Sequence, residues 1–289
     1  MPVIAFGTGT KWKGHEIADF VEQAIDTGFS HIDAAAFYEN EASVGEGIKQ
    51  SGLSRDELFI TTKYDGQTNV EAGLEASLNK LGVKFVDLYL IHSPKSIPHS
   101  VERIWADFED VHEKGLSRSI GVSNFGVKEL QAVIKHGKIK PAVNQISLNP
   151  YNYSEMRETI EYCNKQGIVV EAYSSLAPLT RYPGGPVDKP LHDAAKRLKI
   201  TPTQAVFQWV RAKRAVIVTT SSSKEHLKEY LAVDAIAPLT KDEIEAIDKA
   251  GAKGPPSVVL RKGIQAIALL LAFIVFMCYR TTLLPSWVV

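Results

Sequence analysis

The sequence predicts an α/β fold: a (β/α)8 TIM barrel with a C-terminal apolar helix of near-transmembrane length. Three observations predict it. Short runs rich in Val and Ile alternate with helical patterns eight times, with no interior linker. Polar residues gather at the C-terminal ends of those runs, where a barrel would bring them to one face. A segment with a single polar side chain, Gln265, spans residues 263–279 after the last repeat.

The strand candidates begin with VIAF at Val3, HIDA at His31, LFITT at Leu58 and FVDLYLI at Phe85. RSIGV at Arg118, AVNQI at Ala142, IVVEAY at Ile168 and AVIVTT at Ala215 complete the eight. Between them, HEIADFVEQAIDTG places Ile17, Phe20, Val21, Ala24 and Ile25 at helical spacing and closes on Gly28. VEAGLEASLNKLG, SVERIWADFEDVHEKG and SEMRETIEYCNKQG also end in Gly, a helix-stop residue. TPTQAVFQWVRAK offers Thr201 as N-cap and Pro202 in the first turn. An open doubly wound sheet is the alternative, since alternation does not show closure. Its phosphate-binding GxGxxG is absent: GTGT at Gly7 lacks the third Gly and reads as turn chemistry.

The chain has 289 residues, 45% of them hydrophobic, enough to bury a large core. Lys plus Arg and Asp plus Glu both total 33, so no basic face for nucleic acid is expected. Cys163 and Cys278 cannot build a disulfide framework, which fits a reducing compartment. The N-terminal MPVIAFGTGT lacks the pattern of a signal peptide. The expected organisation is a barrel over 1–250, a linker over 251–262, a membrane anchor over 263–279 and a short tail over 280–289. The anchor, GIQAIALLLAFIVFMCY, is apolar on every face and would be roughly 25 Å long as a helix. Arg261 and Lys262 precede it and Arg280 follows. A buried core helix is the bland alternative. The barrel is therefore expected in the cytoplasm, anchored by its C-terminus to an intracellular membrane.

Asp33 and Tyr38 follow the second strand, Lys63 the third and His92 the fourth. A free phenol titrates near ~10 and is a poor acid at neutral pH. A nearby ammonium lowers that value, and a carboxylate makes the buried ammonium tolerable. Asp33, Lys63 and Tyr38 thus form a proton-donating chain, and His92 can hydrogen-bond a substrate oxygen. Four complementary groups at neighbouring strand ends favour one site over separate local roles.

The stretches GTGTKW, HIDAAAFYENE, ITTK, VDLYLIH, IGVSNF, NQI and VVEAYSSL, in this order, resemble the aldo-keto reductases over residues 2–250. The resemblance implies that Asp33, Tyr38, Lys63 and His92 are a catalytic tetrad. It implies NADPH or NADH as cofactor, a small carbonyl compound as substrate, no metal, and action as a monomer. Ser123, Asn124 and Gln145 would hold the nicotinamide carboxamide, Tyr173 would stack on its ring, and Ser174 and Leu176 would line the pyrophosphate path. Gly9, Thr10, Ser222 and Glu229 would complete the cofactor contacts. The family's Lys-Ser and Arg around the 2′-phosphate are Thr220, Ser221 and His226 here, so relaxed cofactor selectivity is expected. Hydroxyls of residues 220–223 and the following helix N-terminus could still take a phosphate; the bland reading is a Ser-rich helix cap. The family's His-Trp-Pro is His92-Ser93-Pro94, which widens the pocket wall. Two function classes follow: a carbonyl reductase, favoured by the complete tetrad, and a non-enzymatic nicotinamide-binding barrel serving as a regulatory or membrane-associated subunit.

Overall fold

The structure, a computed structural model, describes residues 1–97 and 99–256. Eight parallel strands close into a barrel in sequence order. They are β1 (Ile4–Gly7), β2 (His31–Asp33), β3 (Phe59–Tyr64), β4 (Leu88–Ile91), β5 (Ile120–Ser123), β6 (Val143–Ser147), β7 (Val169–Tyr173) and β8 (Ala215–Thr219). Closure is made by β1 against β8, with Ile4 opposite Ile217 and Phe6 opposite Thr219. This settles the choice against an open sheet, and each of the eight candidate runs overlaps a strand.

The first six connections carry one α-helix each: α1 (Ala18–Thr27), α2 (Glu41–Gln50), α3 (Val70–Leu81), α4 (Val101–Glu113), α5 (Val127–His136) and α6 (Tyr153–Gln166). Their ends follow the sequence signals. Gly28, Gly82 and Gly167 close α1, α3 and α6 in the left-handed region, at φ 119°, 69° and 67°. The seventh connection holds α7 (Ala177–Thr180), α8 (Asp188–Leu198) and α9 (Pro202–Ala212). Of these, the sequence pattern announced α9 alone. Its cap forms as expected: Thr201 accepts from the Gln204 N–H while the Gln204 side chain returns to the Thr201 N–H. Gly and Pro clusters obscure α8 in the sequence, but Pro190 falls in its first turn, where the missing N–H costs little. After β8 come α10 (Lys224–Leu231) and α11 (Lys241–Gly251).

Among the described residues no helix is long and apolar enough to cross a membrane. The anchor expected over 263–279, most of the linker and the tail over 280–289 lie outside the described residues.

Strand alternation decides what the site is made of. On β3, Ile60, Thr62 and Tyr64 share one face while Thr61 and Lys63 share the other. The helix side of the sheet is apolar: Phe6, Ile32, Ile60, Tyr89, Val122 and Val170 are buried against Trp105, Phe108, Phe207 and Trp209. The barrel interior holds polar groups: His31, Asp33, Thr61, Lys63, Gln145 and Glu171 are all buried. Burying such groups is costly unless they pair, and they do so with each other.

Candidate active site

The loop after β2 places Tyr38. Ala36–Tyr38 form one turn of 3-10 helix, stopped by Glu39 in the left-handed region at φ 56°. Buried Asn40 donates to the Thr8 carbonyl at 2.9 Å and the Trp12 carbonyl at 3.0 Å, tying this loop to the one after β1. The Gly14 N–H donates to the Tyr38 carbonyl at 2.9 Å. Gly9 lies against the phenol so closely that a Cβ there would come within 2.7 Å of Tyr38 Cζ.

The Lys63 ammonium, fully buried, donates to Asp33 Oδ1 at 2.6 Å and to the Ala34 carbonyl at 2.9 Å. It sits 5.1 Å from the Tyr38 ring centroid and acts on the phenol both as a charge and as a hydrogen-bond partner. The Tyr38 and His92 rings meet edge-on with centroids 5.5 Å apart. The four residues picked out by their strand-end positions therefore share one cluster.

The electrostatics correct one expectation. Burial is the largest influence on Tyr38 and raises its pKa; Lys63 pulls it down and Asp33 pushes it up, leaving it above the ordinary phenol value. The ammonium offsets burial rather than overcoming it. Burial also opposes the charge on Lys63, but Asp33, then Tyr38, outweigh it and the net shift is upward. Lys63 is thus firmly cationic. Burial, then the Lys63 charge, lower His92 to about 4, so its imidazole is neutral at physiological pH.

A cavity of about 590 Å³ opens over this cluster. Its lining includes Asp33, Tyr38, His92, Gly9, Ser123, Asn124, Gln145, Tyr173, Ser174, Leu176 and Thr220. Asn124 and Ser174 turn their chains at φ 62° and 57°, a left-handed conformation uncommon outside Gly and frequent at functional sites. Ser123 Oγ donates to the Gln145 carbonyl at 2.8 Å, and Asn124 Oδ1 accepts from the Tyr173 hydroxyl at 2.8 Å.

Other expected cofactor residues lie elsewhere. Thr10 opens a 3-10 turn, Thr10–Trp12. Ser221 Oγ accepts from the Ser223 N–H at 3.0 Å and lies 3.4 Å from His226 Nδ1, while Ser223 caps α10 by accepting from the His226 N–H. The bland capping reading thus describes Ser221 and Ser223. The Ser222 carbonyl accepts from Gln23 Nε2 at 3.2 Å. His226 stacks on Tyr230. The Glu229 carboxylate takes the Thr201 hydroxyl, which turns it towards α9. Lys63 lies beneath the cavity rather than in its wall.

Sequence reasoning missed Lys11, Phe37, Arg181 and Tyr230, which also line the cavity. Tyr230 lies one helical turn beyond His226, and that spacing was a usable signal. Nothing local marks Arg181 among the other surface cations.

These residues fit a nicotinamide dinucleotide. Thr220 Oγ1 is buried and has no hydrogen-bond partner among the described residues, although Thr220 borders the cavity. A buried hydroxyl left unpaired is costly, so it suits a ligand oxygen. Lys11 and Arg181 put two cations on a cavity that would take a pyrophosphate dianion.

Fold and site together define a barrel oxidoreductase acting on a carbonyl group. The sequence model described as the Aldo/keto reductase family matches residues 4–252. An NAD/NADP-dependent indole-3-acetaldehyde reductase of Schizosaccharomyces pombe is 37% identical over 264 residues, covering 87% of this chain and 92% of the relative. An NADPH-dependent alpha-keto amide reductase of Saccharomyces cerevisiae is 33% identical, covering 89% of each chain. The crystal structure of a Bombyx mori aldo-keto reductase in complex with NADP superposes with a TM-score of 0.77 at 30% identity, covering 86% of this chain and 89% of that one. The chain belongs to the aldo/keto reductase family: it is an NAD(P)-dependent oxidoreductase that reduces carbonyl compounds.

Proposed function

We propose that Tyr38 protonates the carbonyl oxygen of a small aldehyde or activated ketone, with Asp33, Lys63 and His92 supporting it. The observation that carries this reading is the buried Lys63–Asp33 pair, 2.6 Å apart, set beside a phenol that faces a neutral imidazole. The bound nicotinamide supplies the hydride. As the phenol gives up its proton, Lys63 stabilises the phenolate, and Asp33 keeps Lys63 charged in a dry site. Neutral His92 has one N–H to offer the same substrate oxygen and so orients the carbonyl towards Tyr38. Ser123, Asn124 and Gln145 hold the carboxamide, and Tyr173 offers a flat face to the ring. Gly9, Ser174, Leu176 and Thr220 accommodate the pyrophosphate side. Thr10, Ser221, Ser222, His226 and Glu229 belong to the adenosine side.

The named relatives act on an aldehyde and a keto amide, and both substrate types have a carbonyl open to attack. Half-exposed Phe37, edge-on to His92 at 5.8 Å, gives the pocket an aromatic wall suited to an apolar substituent. We further infer that residues 263–279 hold the barrel at an intracellular membrane, on the strength of a sequence in which Gln265 is the one polar side chain.

The test is Tyr38→Phe, which keeps the ring and removes the hydroxyl. Turnover of an aldehyde panel, followed by loss of reduced-nicotinamide absorbance, should fall by about 10²-fold or more, the usual worth of a general acid. Near-normal turnover in the variant rules the role out.

A further inference from the structure

The barrel interior holds one more carboxylate, which the proton-donating chain does not use. Glu171, in the middle of β7, is 0% exposed. Its Oε2 accepts a 2.7 Å hydrogen bond from Gln145 Nε2. Its Oε1 has no hydrogen-bond partner among the described residues and faces His31 Nε2 at 3.9 Å. That nitrogen is 2.9 Å from Thr61 Oγ1. Gln145 Nε2 carries two protons, and the second goes to Asp33 Oδ2 at 2.8 Å. Both amide protons are therefore committed to carboxylates, and the amide oxygen is what Gln145 retains for the cavity it lines. Glu171 is one hydrogen bond from a cavity-lining amide and two from Asp33.

We propose that Glu171, acting through Gln145, is the buried counter-ion of the oxidised nicotinamide, so that NAD(P)+ binding expels a proton from Glu171 and NAD(P)H binding does not. This rests on the reading that Gln145 faces the nicotinamide.

Counting charges gives the reason. The groups facing Glu171 are His31 and Asp33 from β2, Lys63 from β3 and Gln145 from β6; on its other side β8 sets Val216 opposite it in register. Asp33 and Lys63 cancel. Burial holds His31 at about 4, hence neutral. With Glu171 protonated the cluster carries no net charge, and with Glu171 ionised it carries one negative charge. Burial, then the Asp33 charge, raise Glu171 to about 7, so both states are accessible at physiological pH. The reduced nicotinamide ring is neutral and the oxidised ring carries a positive charge. A cation at the mouth favours the ionised cluster. The carboxyl proton leaves to solvent on binding of the oxidised form. It returns when the ring is neutral again, because a lone buried carboxylate is costly. Acid pH then weakens the grip on the oxidised cofactor, the product of carbonyl reduction.

Calorimetric titration of the full-length protein with NADP+ and with NADPH, near neutral pH in two buffers of different ionisation enthalpy, reads the protons exchanged. Protons exchanged at the 2′-phosphate, which both cofactors carry, cancel in the difference. Wild type should release more protons with NADP+ than with NADPH. The NADP+ to NADPH affinity ratio should rise roughly fivefold between about pH 6 and pH 8, if the ring favours the carboxylate about tenfold. Glu171→Gln should abolish both differences while keeping an acceptor for Gln145. Equal proton release with the two redox forms in wild type overturns the proposal, even if the variant does not fold. So does a difference that persists in Glu171→Gln. Gln145→Leu tests the underlying reading separately: unchanged affinity for both redox forms shows that Gln145 does not face the nicotinamide.

Discussion

Replacing Lys63 by Met removes the one cation paired with Asp33 inside the barrel while keeping an unbranched side chain of similar length. Overpacking and cavity terms are therefore small. What remains is electrostatic. The Asp33 side chain is 2% exposed and loses its 2.6 Å partner, keeping the single N–H from Gln145 at 2.8 Å. Removing one member of a buried pair costs about 3–5 kcal/mol, a large part of the ~5–15 kcal/mol that holds a domain folded. Deprived of the ammonium, the folded variant keeps a buried carboxylate charge with no counter-ion, which burial and the neighbouring Glu171 carboxyl disfavour. Urea unfolding at neutral pH measures the deficit. Asp33→Asn combined with Lys63→Met leaves neither position charged and should recover most of the lost stability, but no activity, since the phenol is untuned in both. Single-turnover rates should fall in Lys63→Met and the pH–rate profile should move. A Lys63→Met protein within about 1 kcal/mol of wild type at neutral pH would refute the argument, as would a double variant no more stable than the single one.

Gly9→Ala should fold normally, since Gly9 has an ordinary φ of −82°, yet lose turnover. Its methyl would press on Tyr38 Cζ at 2.7 Å and shift the phenol, and a displacement of about 1 Å at a reacting group can cost ~10²-fold. Normal kcat in a folded Gly9→Ala protein would show that Tyr38 need not sit where it does. Cofactor choice should be relaxed, because neutral Thr220 stands where a cation would fix the 2′-phosphate. The ratio of kcat/KM for NADPH and NADH measures this, and a large preference for NADPH contradicts it. Full-length protein should resist carbonate extraction from membranes while a chain ending at Gly263 washes off; equal extraction removes the anchor reading.

Much of the fold was legible in local sequence. Each strand run, each closing Gly of α1, α3 and α6 and the Thr201–Gln204 cap are decided within a few residues, by φ preference, side-chain hydrogen bonds and period. Helix α8 was not, since Pro190 and the preceding Gly pair read as breakers until the helix start is known. The site was legible in its outline because strand-end position is a local property, and Asp33, Tyr38, Lys63 and His92 all carry it.

Sequence alone therefore determined the order of the strands, the candidate acid chain and the departures at Thr220, Ser221 and His226. Tertiary structure decided whether the sheet closes, and with it everything that depends on partners distant in the chain. Gln145 reaches Asp33 across 112 positions. Glu171 meets His31 only because β7 and β2 face each other across a closed interior. Arg181 and Tyr230 join the cavity from opposite sides of β8. Burial has the same origin: the raised phenol of Tyr38, the neutral His92 and the near-neutral titration of Glu171 come from water excluded by the whole barrel. No window of sequence encodes that exclusion, because desolvation is a property of the enclosing fold rather than of the residue.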